Sequence, residues 1–135
     1  MTCSRWVLLA LLATTACGGE SPTAPTTDWI ELNSITPSSG TTLTAGERVT
    51  FTTTVTCTIV NADGGYVVLL LVDQGNRSLS ASSPTAQLSK GTATVTLTDT
   101  ITVPVSGSTV TAVLPLFVNG SNITRALKRV DYSVR

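Results

Sequence analysis

The 135-residue chain contains no histidine, which removes the side chain that most often serves as general base, proton shuttle or metal ligand near neutral pH. His-based triads and His-ligated metal sites are thereby excluded. The carboxylates are few and scattered. Glu31, Glu47, Asp63, Asp73, Asp99 and Asp131 never alternate as a calcium loop requires, and no Gly-rich phosphate cradle precedes a helical stretch. Hydroxyls are plentiful, since Thr makes up about a fifth of the chain, but none sits in a Gly-x-Ser-x-Gly turn with an activating base. The expectation is a protein that is not an enzyme and takes no cofactor and no metal. Three cysteines remain, Cys3, Cys17 and Cys57, and their chemistry depends on the elements around them.

Three zones precede Cys17. Met1 to Arg5 carries one positive charge, Trp6 to Ala13 reads WVLLALLA, and Thr14-Thr15-Ala16 is small. Positive, apolar, small is the order of an export signal. An apolar run of about eight residues falls far short of the ~20 that span a bilayer as a helix. The stretch Thr14 to Cys17 resembles a bacterial lipobox, with Thr14 standing where Leu is usual. The resemblance implies a signal peptide over residues 1–16 and a Cys17 diacylated on sulfur. Because Gly18 follows instead of Asp, it also implies the outer membrane, with the protein exported to the cell envelope, lipid-anchored, and facing the periplasm or the surface. The alternative is an ordinary signal cut after Ala16 that leaves Cys17 a plain thiol.

Residues 17–28 continue as GGESPTAPTTD after the cysteine, with two prolines and almost nothing to bury. Such a mixture stays extended and solvated, which makes it a linker. The remainder, residues 29–135, has the size of one domain with its own core.

That domain reads as all-β. Val49, Phe51, Thr53, Val55, Cys57 and Ile59 share one face of a strand, and Thr50, Thr52, Thr54, Thr56 and Thr58 the other. The same alternation returns in Ala93, Val95, Leu97, Ile101 and Val103 against the Thr residues from Thr92 to Thr102. Asp99 falls on the inward parity of that run, and a bulge near Thr98 to Thr100 is the expected remedy for a buried carboxylate. Further strands are expected over Ile30 to Ile35, Tyr66 to Asp73, Ser78 to Ala81, Thr109 to Val118 and Ala126 to Val134. Turn-forming groups separate them, among them Ala62-Asp63-Gly64-Gly65 and Asn119-Gly120-Ser121-Asn122. About seven short strands is the count of an immunoglobulin-like antiparallel β-sandwich.

The segment Ile35 to Leu43, with its Pro37-Ser38-Ser39-Gly40 turn, followed by Val49-Thr50-Phe51, resembles the opening of bacterial surface immunoglobulin-like, adhesion-type modules. The resemblance implies a binding or spacing role and identifies no ligand. Antibody-type domains bridge their sheets with a disulfide, whereas here Cys57 is the one cysteine of the domain. It is expected as a small buried hydrophobe. A reactive thiol and a bridge to an unlipidated Cys17 are its two other readings.

Three surface features bear on binding, and one of them, the outward Thr rows at Thr50 to Thr58 and Thr92 to Thr102, resembles the arrays of ice-binding sheets but is expected as the ordinary wet face of a strand. Tyr66 to Val72 is apolar on both faces, so Leu69 and Leu71 are candidates to meet a partner, the alternative being that loops or the linker cover that face. Arg125, Lys128, Arg129 and Arg135 crowd the last strand. Lys128 has inward parity there, and charges at such a place defend a sheet edge against pairing. Arg125 and Arg129 are the candidates for contact with anionic lipid or a surface glycan. Aromatic residues make up 4% of the chain, and with so small a basic patch no nucleic-acid partner is expected. The sequence reads as a lipid-anchored adhesion or binding module, or alternatively as a structural or assembly subunit docking onto another envelope protein.

Overall fold

The computed structural model describes residues 26–135, and Cys17, the leader and most of the linker lie outside the described residues. Six strands follow one another: β1 (Trp29–Thr36), β2 (Arg48–Val68), β3 (Leu70–Asp73), β4 (Thr85–Thr102), β5 (Thr109–Val118) and β6 (Ala126–Ser133). Every pair among them is antiparallel. The arrangement is an immunoglobulin-like β-sandwich whose two layers share the long strands β2 and β4. Arg48 to Ile59 of β2 lies between β1 and the end of β4, whereas Gly65 to Val67 lies between the start of β4 and β5. The switch falls where the register with β4 shifts, between Ile59 and Gly64, because a bulge bends its strand and raises the local twist.

This switch corrects the expected turn at Ala62 to Gly65, since the chain runs through it as strand and the expected second and third strands become one. The expected strand over Ser78 to Ala81 is also absent apart from a single bridge between Val72 and Ser78. There the Ser78 hydroxyl bonds the backbone of Ser80 in both directions, at 3.2 and 3.3 Å, and such local bonds compete with a ladder. Strand β4 instead begins at Thr85, earlier than its Thr-rich alternation suggests.

No bulge accommodates Asp99. The register continues through Thr100, Asp99 and Thr98 opposite Thr50, Phe51 and Thr52, so the side chain takes the inward parity. It is satisfied there by the Ser80 hydroxyl and by the Thr100 amide at 2.8 Å. The Ser-rich segment before β4 thus supplies a hydroxyl partner to this half-buried carboxylate.

Inward parity fills the core. Phe51, Val55, Cys57 and Ile59 of β2 meet Val110, Ala112, Leu114 and Leu116 of β5, all buried. Tyr132 packs edge-on against Phe51, with ring centroids 5.3 Å apart, and its hydroxyl donates to the Pro37 carbonyl at 2.7 Å. One ring thus ties β6 to β2 and to the segment after β1. Burial pushes the Tyr132 phenol up to about 12 and the Cys57 thiol up to about 11, so both stay protonated near neutral pH, and Cys57 is a free, inert packing residue.

The outer face of the first layer is a hydroxyl ladder. Thr50, Thr52, Thr54, Thr56 and Thr58 stand opposite Thr100, Thr98, Thr96, Thr94 and Thr92, with oxygen separations of 2.8, 3.3, 3.0, 2.9 and 2.8 Å. Each rung contributes roughly 0.2–1 kcal/mol as a cross-strand pair on a wet face. This ladder accounts for ten of the threonines and holds the two longest strands in register.

Candidate binding surface

The second layer presents a different outer face, built by the residues between the buried ones. Beyond the bulge the inward parity of β2 persists, so Val67, Leu69 and Leu71 point into the core and are 0% exposed. Leu69 and Leu71 are therefore core residues and offer nothing to a partner. Tyr66, Val68 and Leu70 take the outward positions and are half-buried.

The register turns these positions into rows. Tyr66 lies beside Phe117, their rings stacked at 5.0 Å, and Pro115 lies beside Leu127. Leu70 pairs with Val113, which pairs with Arg129, and Val72 pairs with Thr111, which pairs with Asp131. Along the face the rows pass from aromatic through aliphatic to charged. The polar end opens into a shallow depression of about 530 Å³ lined in part by Asp73, Gln74, Asn76, Arg129 and Asp131. Thr111 fixes one wall by donating its hydroxyl to Asp131 at 2.6 Å.

The opposite wall is a tight turn. Asp73 accepts the amides of Gly75 and Arg77 at 2.8 and 2.9 Å and the Arg77 guanidinium at 3.1 Å, and Asn76 sits at φ 59°. The Arg77 amide, helped by the Gly75 amide and the Arg77 guanidinium, holds the Asp73 carboxyl below its ordinary value, although desolvation works against it. Arg129 forms no ion pair among the described residues, so its guanidinium remains available to a ligand. The depression offers carboxylate acceptors, amide groups and one cation. That chemistry suits recognition of a polar group.

The other end of the same sheet receives the linker. Asp28 accepts the amides of Val60 and Asn61 at 2.8 and 3.2 Å, next to Arg125. Burial alone raises the Asp28 carboxyl, but the two amides, the Asn61 side chain and Arg125 outweigh it and hold it below the ordinary value. A lowered folded value means that the clasp adds stability above the unfolded pKa and loses it as pH falls through the folded one. Asp28→Ala is expected to speed hydrogen exchange at the Val60 and Asn61 amides on the order of tenfold, measured by NMR, because a charged acceptor is removed. The Gly75 amide, held by Asp73, serves as the unchanged reference.

Of the sequence candidates, Arg125 and Arg129 lie on this face, at its linker end and its polar end. Lys128 faces Leu114 across the ladder yet is exposed, because β6 is an edge strand and its inward side opens to solvent. Cys17 lies outside the described residues. Tyr66, Phe117, Thr111, Asp131 and Asp28 belong to no motif. For Tyr66, Phe117 and Thr111 the signal is parity, since each outward position follows from the inward alternation of β2 and β5, whereas Asp131 joins them only through the register of β6 and Asp28 precedes β1. Among the described residues no three His, Cys, Asp or Glu side chains gather into a metal-binding group.

No family model and no curated protein matches the chain. Solved structures do share its fold. A β-glucuronidase from glycoside hydrolase family 2 superposes with a TM-score of 0.50 at 14% identity, over 81% of this chain and 11% of that one. A putative β-galactosidase from Bacteroides fragilis gives 0.50 at 15% identity, over 80% of this chain and 16% of that one. The chain thus spans a small part of the length of either protein, and at such identity the likeness establishes the immunoglobulin-like sandwich alone.

Proposed function

We propose that the protein is a lipid-anchored envelope lipoprotein whose immunoglobulin-like domain is a non-catalytic binding module. The observation that carries the reading is the asymmetry of the two outer faces. One is a hydrogen-bonded Thr ladder that suits water, and the other grades from the Tyr66 and Phe117 rings to the depression at Arg129 and Asp131. A sandwich that acts only as a spacer has no use for an apolar outer face beside a polar depression. The depression also sits at the far end of β5 from Asp28, so an N-terminal tether displays it away from the membrane.

The half-buried apolar rows favour a second reading, a structural or assembly subunit that docks onto another envelope protein. Size exclusion and in-cell crosslinking of a soluble Cys17→Ser form separate the two. A monomer that retains surface glycan, and releases it on Asp131→Ala, supports the binding module. A discrete complex with one envelope protein supports assembly and removes the first reading.

A further inference from the structure

We infer that the end of the sandwich from which the linker leaves is a second, weak contact surface for the headgroup region of an anionic bilayer. The inference rests on the lipid-anchor reading proposed above. Its first support is where the described chain begins, since Asp28 is clasped to Val60 and Asn61 beside Arg125. A tether leaving there brings this end of the domain, and not the depression, towards the membrane. From Cys17 to Asp28 the extended chain reaches at most about 40 Å, so the surface stays at high effective concentration above the lipid and needs little affinity of its own.

The second support is the surface itself. Ile123 is 69% exposed and Leu127 46% exposed, two of the large hydrophobic side chains that the domain leaves in solvent. Arg125 lies between them in sequence, beside the Asp28 clasp, and exposed Lys128 follows. Half-buried Trp29 opens β1 directly after the Asp28 clasp, and Trp favours the headgroup region. Apolar tips flanked by cations are what a negatively charged interface binds. Asp28 and Asp63 share this end, so the attraction is weak and depends on the apolar tips as well as on charge.

The test uses the chain carrying Cys17→Ser, so that no acyl chain contributes, in co-sedimentation with vesicles. Neutral phosphatidylcholine is compared with a mixture containing a quarter phosphatidylglycerol. Binding to the anionic vesicles alone is expected. Arg125→Ala should lower it roughly five-fold, at about 1 kcal/mol per cation near the surface, and Ile123→Ser should lower it as well. Because these side chains are exposed, unchanged thermal melting confirms that the variants fold.

Arg135→Ala removes the same charge from the opposite end and should leave binding intact. Equal binding to both vesicle types, unchanged binding in the Arg125 variant, or equal loss in the Arg135 variant overturns the inference. Palmitate labelling of the unaltered chain tests the anchor separately, so each failure identifies which statement is wrong.

Discussion

Gly65→Ala is expected to destabilise the domain by about 3 kcal/mol, at the upper end of what overpacking a filled interior costs. A Cβ at Gly65 would collide with the Phe117 carbonyl oxygen and come to 3.0 Å of both the Val118 Cα and the Ile59 Cδ1. Two of these atoms belong to the facing backbone, so no rotamer change relieves the crowding, and β2 must draw away from β5. The pairing that breaks is the short run Gly65 to Val67 against Val118 to Leu116, the segment that carries β2 into the second layer. With roughly 4–8 °C per kcal/mol for a domain of about this size, the melting temperature should fall by about 15 °C. Urea unfolding gives the free energy directly. A loss below about 1 kcal/mol would show that the two strands are not in contact in solution. The same substitution should loosen the Tyr66 and Phe117 rows, because their stacking depends on the adjacent pairing.

Gly65 also marks where the sequence is readable and where it is not. A Gly-Gly pair beside Ala62-Asp63 carries the signature of a turn, and local chemistry alone places a chain reversal there. Its use is instead a close approach of three strands, since a Cβ at Gly64 would stand 2.5 Å from the Leu88 carbonyl oxygen. Both meanings require glycine, and only the non-local neighbours distinguish them.

Parity, by contrast, is legible throughout. The odd positions from Val49 to Ile59 continue through Val67 to Leu71, so the burial of Leu69 and Leu71 follows from extending the alternation across the bulge. Taken as an isolated apolar run, Tyr66 to Val72 hides that continuity and assigns the free face to the wrong residues. The depression is illegible for a further reason. Asp73, Thr111 and Asp131 come from three strands and meet through register alone, which no single segment encodes. The mainly apolar run of β5 shows the same effect. Its odd positions Val113 and Phe117 are half-buried on the outer face, yet by hydropathy they scarcely differ from the even ones in the core.

Cys17→Ser is expected to move about nine-tenths or more of the protein from the membrane to the soluble fraction, because two acyl chains at ~0.8 kcal/mol per buried methylene hold a protein firmly and the domain's own surface does not. Two properties separate the anchor from the weak contact at Ile123 and Arg125. A diacyl anchor on Cys17 would survive high salt, since it is apolar, and would incorporate radioactive palmitate. The weak contact is screened by salt and incorporates nothing. Unaltered protein should therefore stay on membranes through a salt wash, while the small bound remainder of Cys17→Ser should be stripped by it. Unaltered protein that is unlabelled and freely soluble would remove the anchor. The outcome also bears on the folded domain. With membrane affinity supplied by lipid, nothing in the sandwich is required for attachment, and Arg129, Asp131 and the Tyr66 and Phe117 rows are left to act on a ligand.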